Sequence, residues 1–290
     1  MVLLTKAAAG ASLSIYRNST NKVWIEATSP LDIGYRLQAS VDFQNWSDLS
    51  DQVSGLLSYR IDPTEDANRF FRLRTWTTTD LPVRLVMLGD STVADYVLNS
   101  SQYSGWGQGM YGYLKPNVQV INLAISLQST KSFLSSIQKD YLMRIKPEFV
   151  LIPFGRVDAL TLSEPYYTSI AEYEANLKTI IQIVRDFDGT PILVTPTGPR
   201  EFDDNGKIVP SLEDRCQVVR NVADESQAYL IDLHELSNNL YNELGPINSA
   251  YISSGNKDNV HFSLKGADII AGLAVDAFPI ILRAQLKHVE

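Results

Sequence analysis

Two short polar stretches could together carry acyl-transfer chemistry, Gly89-Asp90-Ser91-Thr92 and Asp258-Asn259-Val260-His261. A serine hydroxyl becomes a nucleophile when an imidazole takes its proton. A carboxylate behind that imidazole fixes the tautomer and stabilises the imidazolium that forms. The imidazole has few sources, because the chain holds only His234, His261 and His288. His288 lies among the last three residues, where chains fray. His234 follows an apolar run in Ile231-Asp232-Leu233-His234-Glu235, can pair with its neighbours, and defaults to a structural role. His261 has Asp258 three residues upstream, close enough to accept from one ring nitrogen while the other faces a serine. On spacing alone a satisfied surface Asp–His pair is an equal alternative, and Gly-Asp-Ser by itself is a frequent turn sequence.

The elements that must position these residues come in two textures. From about Ala11 to Thr75 the chain reads as short strands. Ser12 to Tyr16, Val23 to Ala27, Tyr35 to Val41, Leu57 to Ile61 and Phe70 to Arg74 are separated by turn residues such as Pro30, Gly34, Asn45, Gly55 and Pro63. This predicts a small all-β, sandwich-like module over residues 1–77, with Trp46 and Phe71 in its core. Thr75 to Pro82 reads as a linker. Residues 78–290 then form a second domain. Val83 to Leu88, Val118 to Ile121, Phe149 to Phe154, Ile192 to Thr195 and Tyr229 to Ile231 are apolar runs of strand length without alternation. Helical spacing lies between them, clearest at Ile170, Tyr173, Leu177, Ile180, Ile181 and Val184. Strands buried on both faces and separated by helices predict an α/β fold, a parallel sheet covered on two sides. A last helix is expected from about Leu264. Ser91 then falls at the carboxyl end of the first strand, where open α/β sheets bind ligands, just before a stretch expected to turn into helix. His261 falls in a polar loop before the last helix.

Composition excludes several classes. Of 290 residues 44% are hydrophobic and 20% charged, which suits a sizeable core. The net charge of −8 and the lack of Lys/Arg runs argue against nucleic acid or an anionic membrane as partner. No apolar stretch approaches the ~20 residues needed to span a bilayer. Met1 to Leu4 is apolar, but Lys6 ends the run before a signal-peptide core forms. Cys216 is the only cysteine, so an internal disulfide and a cysteine-rich zinc site are both out of reach, and its helical neighbours suggest a structural thiol.

Val86-Met87-Leu88-Gly89-Asp90-Ser91-Thr92 resembles the first block of the SGNH (GDSL-type) hydrolases, and Asp258 to His261 with Phe262-Ser263 and Gly266-Ala267 resembles their last block. Within that class the chain is most similar to the rhamnogalacturonan acetylesterase group. Gly105-Trp106-Gly107-Gln108, Asn122-Leu123-Ala124-Ile125, Ser129 to Phe133, Val194-Thr195-Pro196 with Pro199-Arg200, and Asp232-Leu233-His234 each resemble a segment of that group, in order, over about Val83 to Ala274. The resemblance implies a flavodoxin-like three-layer sheet. It also implies Ser91 as nucleophile, His261 as base and Asp258 as its partner, with no metal or organic cofactor. Asp90, Trp106 and Gln128 are the expected substrate contacts. Substrates would be acetylated polysaccharide or a small ester, and a secreted or periplasmic bacterial location is the expectation from such a substrate.

Two departures fall in the oxyanion hole that the resemblance implies. There the donors are the nucleophile's own N–H, the N–H of a glycine and the side-chain amide of an asparagine. Leu127 occupies the glycine position and Val157 the asparagine position. Leu127 keeps an N–H, provided the backbone does not need φ > 0. Val157 has no side-chain donor, and loss of one such donor typically costs about 10²–10³ in kcat. Arg156 and Gln128 are the nearby replacements, although Arg156 could instead pair with Asp158. Three readings result: a carbohydrate O-acetylesterase with a remodelled hole, a short-chain carboxylesterase or thioesterase, and a weakened hydrolase homologue that binds glycans.

Overall fold

The computed structural model describes residues 12–17, 23–28, 33–40, 47–48, 56–61, 70–77, 83–96, 103–115, 117–160, 165–255 and 257–287. Trp46 and His288 lie outside them. In the amino-terminal region, strands β1 (Ser12–Arg17), β2 (Val23–Thr28), β3 (Ile33–Ser40), β4 (Ser47–Asp48), β5 (Leu56–Ile61) and β6 (Phe70–Thr77) form two three-stranded antiparallel sheets, ordered β1-β2-β5 and β4-β3-β6. Leu37, Phe71 and Leu73 are buried. The expected linker starts too early. Thr75, Trp76 and Thr77 continue the β6 ladder opposite Tyr35, Gly34 and Ile33.

The second region is built on five parallel strands, β7 (Val83–Met87), β8 (Val118–Asn122), β9 (Phe149–Ile152), β10 (Thr190–Val194) and β11 (Tyr229–Ile231), in the order β11-β10-β9-β7-β8. This is the flavodoxin-like order, and its topological switch point lies between β7 and β9. Alternation along each strand feeds two cores. Leu85 and Met87 join one, with Trp106 and the carboxyl-terminal helices, whereas Val86 and Leu88 join the other. Helices α1 (Trp106–Gly109), α6 (Leu233–Asn248), α7 (Leu264–Asp276) and α8 (Ile280–Leu286) serve the first face. On the second lie α2 (Thr130–Leu134), α3 (Ile137–Ile145), α4 (Ile170–Arg185) and α5 (Glu213–Ser226). This region is thus a three-layer α/β fold, with helices covering both faces of the parallel sheet.

Helix α4 shows why these segments form. Ser169 and Glu172 make a capping box, and Tyr173, Leu177, Ile180, Ile181 and Val184 are buried as one stripe. The single last helix expected from Leu264 is two, because Pro279 cannot donate to a continuing helix and instead opens α8. A short hairpin, β12 (Ser253–Gly255) with β13 (Asp258–Phe262), precedes α7.

Candidate active site

Ser91 leaves β7 through Gly89, whose φ of 124° no other residue adopts easily and whose Cβ would meet Val93 Cγ2 at 2.8 Å. Among the described residues directly after Ser91 the expected helix does not form. Residues 91–94 are a turn, held by Val93 and Ala94 N–H groups that both donate to Asp90 O. The carbonyls a helix would need are taken. Thr92 O accepts from Trp106 N at 2.8 Å, and Val93 O accepts from Asn122 Nδ2 at 2.8 Å. Gly105 and Gly107 permit this closeness, since a Cβ on either would fall 2.3 and 2.5 Å from the carbonyl oxygens of Ala94 and Val93 respectively.

The structure brings Asp258, His261 and Ser91 together. His261 Nε2 lies 2.9 Å from Ser91 Oγ, and His261 Nδ1 lies 2.8 Å from Asp258 Oδ2. His261 sits on β13 rather than in a loop, because Ser253 pairs with Phe262 and Ser104 bridges Phe262 from the other side. Asp258 Oδ1 accepts the N–H groups of Val260 at 2.9 Å and His261 at 3.0 Å. Burial pushes the Asp258 carboxyl up, but those N–H donors and the imidazole outweigh it and hold the group below its ordinary value. The strand is anchored at its start, where Arg200 N donates to Asn259 O, and the Arg200 guanidinium bonds Ser253 Oγ, Ser249 Oγ and Pro246 O. At its end Gly266 packs so closely on Ile252 O that a Cβ there would clash at 1.9 Å.

The three expected substrate contacts lie inside. Asp90 and Trp106 are 1% exposed and Gln128 is 2% exposed, so they support the cleft instead of facing it. Trp106 fills the core under α7. Asp90 Oδ1 accepts from Thr92 N and Oγ1. Burial pushes the Asp90 carboxyl up, and its Oδ2 has no partner among the described residues. His234 is structural, with Nδ1 3.0 Å from Pro196 O and Nε2 2.9 Å from Asn238 Nδ2. The Cys216 thiol is buried, which pushes its pKa up and keeps it unreactive.

Leu127 has φ +61°, the left-handed conformation, and is 51% exposed. The N–H groups of Ser91 and Leu127 meet no acceptor among the described residues. A leucine in that conformation costs about 1 kcal/mol relative to glycine. Leu127→Gly is therefore expected to raise Tm by about 2–4 °C in a thermal melt.

Val157 is 4% exposed and packs inward. Its neighbour Arg156 does not pair with Asp158. That carboxylate instead accepts from Thr130 N, Thr130 Oγ1 and Thr168 Oγ1, which ties the turn after β9 to the start of α2. The half-buried Arg156 guanidinium has no hydrogen bond or ion pair among the described residues. Burial lowers its pKa, and the nearby Asp90 and Asp258 carboxylates push the other way.

Sequence reasoning missed two tyrosines. Tyr103 packs on the His261 ring, with centroids 4.9 Å apart, and Tyr96 meets Tyr103 edge-on at 6.3 Å. Tyr96 Oη donates to Ser91 O at 3.0 Å. The only local signal was their closeness in sequence to Ser91 and to Gly105-Trp106-Gly107.

The model of the GDSL-like lipase/acylhydrolase family matches residues 87–269. Two proteins of Bacillus subtilis are similar along most of their length. The probable rhamnogalacturonan acetylesterase YesY is 32% identical over 200 residues, covering 65% of this chain and 89% of that protein. The rhamnogalacturonan acetylesterase RhgT is 28% identical over 212 residues, covering 67% of this chain and 89% of that protein. The crystal structure of B. subtilis YxiM shares the fold with a TM-score of 0.63 at 22% identity, over 94% of this chain and 86% of that one. Since the matched region spans more than half of its length, the chain belongs to the GDSL-like lipase/acylhydrolase family and is a carboxylic ester hydrolase.

Proposed function

We propose that the protein is a carbohydrate O-acetylesterase in which Ser91 attacks the acetyl carbonyl of a decorated polysaccharide. The observation that carries this is the continuous contact from Ser91 Oγ through His261 to Asp258, at 2.9 and 2.8 Å. His261 Nε2 takes the serine proton while Nδ1–H stays on Asp258. The tetrahedral anion collapses when Nε2–H protonates the departing sugar oxygen, leaving an acetyl ester on Ser91. Water, deprotonated by the same nitrogen, then releases acetate and restores the serine. The substrate class is supported by the acetylesterase names of the two relatives.

In this reading the oxyanion is held by the N–H groups of Ser91 and Leu127 and by Arg156. Arg156 is the replacement for the absent amide because its guanidinium is unpaired among the described residues and half-exposed, whereas Gln128 is enclosed. Arg156→Met is expected to lower kcat about 10²-fold, with KM nearly unchanged, as for loss of one oxyanion donor. Adding Val157→Asn to that variant should recover part of the rate. Acetate release from acetylated pectin or xylan tests the whole reading.

A second reading, a short-chain carboxylesterase, is favoured by the exposed apolar side chains of Leu127 and Ile125. Acetyl, butyryl and hexanoyl esters of 4-nitrophenol separate the two. The acetylesterase reading expects kcat/KM to fall as the acyl chain lengthens, and a rise would favour the alternative.

A further inference from the structure

The direction of proton transfer says which side of the cleft receives the sugar. The nitrogen that takes the Ser91 proton, His261 Nε2, must next give it to the leaving oxygen. In a sugar ester that oxygen is one bond from a ring carbon, so the pyranose lies against the imidazole. The carbonyl oxygen lies away from it, toward the N–H groups of Ser91 and Leu127. The side chain already packed on the imidazole is Tyr103, with ring centroids 4.9 Å apart at a tilt of 48°. We propose that Tyr103 is the specificity-determining platform for the sugar ring that carries the ester. The proposal rests on the acetylesterase reading above.

The surroundings of Tyr103 are built to hold it still. Ser104 N donates to Phe262 O at 3.0 Å, which fixes the Tyr103 backbone beside the strand that carries His261. Tyr96 braces the ring edge-on at 62°. Tyr96 is itself clamped, since the Gln108 side chain accepts from Tyr96 N at 3.0 Å and donates to Tyr96 O at 2.9 Å. The Tyr96 hydroxyl reaches Ser91 O and stands 3.4 Å from Ser126 Oγ. None of these contacts is needed for the proton relay. Together they hold a half-buried aromatic ring in place beside the leaving group, so little conformational freedom is lost when a sugar packs on it.

The test compares kcat/KM for acetylated xylan or pectin oligosaccharides, whichever the wild type deacetylates faster, with kcat/KM for ethyl acetate. Both parameters report the acylation step, and their ratio on one sample does not depend on how much protein is folded. Tyr103→Ala is expected to lower the ratio at least about tenfold, and Tyr103→Trp or Tyr103→Phe to hold it within about threefold. A ratio unchanged in Tyr103→Ala overturns the platform, because a side chain that merely props His261 slows both substrates alike. A wild type that cleaves ethyl acetate and leaves every acetylated oligosaccharide intact overturns the acetylesterase reading first, and the platform with it.

Discussion

Replacing Ser91 by alanine is expected to lower kcat for acetate release by about 10⁶-fold, the scale on which serine hydrolases lose activity without their nucleophile. The hydroxyl is half-exposed, and its side-chain partner is His261 Nε2. Its loss leaves the carbonyls of residues 90–92 with their present partners. Unfolding should therefore shift by no more than about 0.5 kcal/mol, as for other surface substitutions. The residual rate, carried by the oxyanion donors alone, should exceed the uncatalysed reaction by about 10³-fold. Release of acetate from acetylated pectin or xylan, measured beside a thermal melt, checks both halves. A folded Ser91→Ala protein with wild-type turnover would mean that another group attacks the ester. No turnover in either form would favour a glycan-binding role.

Asp258→Asn has the next largest expected effect, a fall in kcat of about 10⁴-fold with the fold intact. Asparagine can keep one oxygen for the N–H groups of Val260 and His261, so the β13 turn survives. What fails is the tautomer. With an amide N–H facing Nδ1, the imidazole carries its proton on Nε2 and cannot accept from Ser91. The same substitution has a pH signature in stability. The Asp258 carboxyl is held below its ordinary value, so its folded form adds stability above a pH of about 4 that is lost as pH falls through the folded value. The Tm difference between wild type and Asp258→Asn should accordingly be full at neutral pH and close in acid. A gap that widens in acid would contradict the charge assignment.

Much of the fold was legible because it rests on burial. Apolar runs without alternation gave the five parallel strands to within a few residues, and the stripe from Ile170 to Val184 gave α4. The oxyanion region was legible only as residue types. Leu127 and Val157 could be seen as departures, but not that Leu127 keeps a left-handed backbone or that Asp158 is taken by Thr130 and Thr168. The Asp158 contacts join it to residues 28 and 10 positions away. The Arg200 guanidinium is likewise committed by non-local contacts, to Ser253, Ser249 and Pro246. Asp90, Trp106 and Gln128 are enclosed, which their residue types and closeness to the nucleophile do not reveal. The tyrosines at 96 and 103 carry no periodicity at all, and the bridge from Ser104 to Phe262 sets the second one beside His261.

In the proposed mechanism the Ser91 hydroxyl is activated by the imidazole beside it. Treating wild-type protein with paraoxon and mapping the phosphorylated peptide tests this without any assumed substrate. One diethylphosphoryl group is expected on the peptide containing Ser91, with inactivation in step with labelling, and little or no labelling of His261→Ala under the same conditions. Labelling at a different residue, or at Ser91 equally fast without the imidazole, would contradict it.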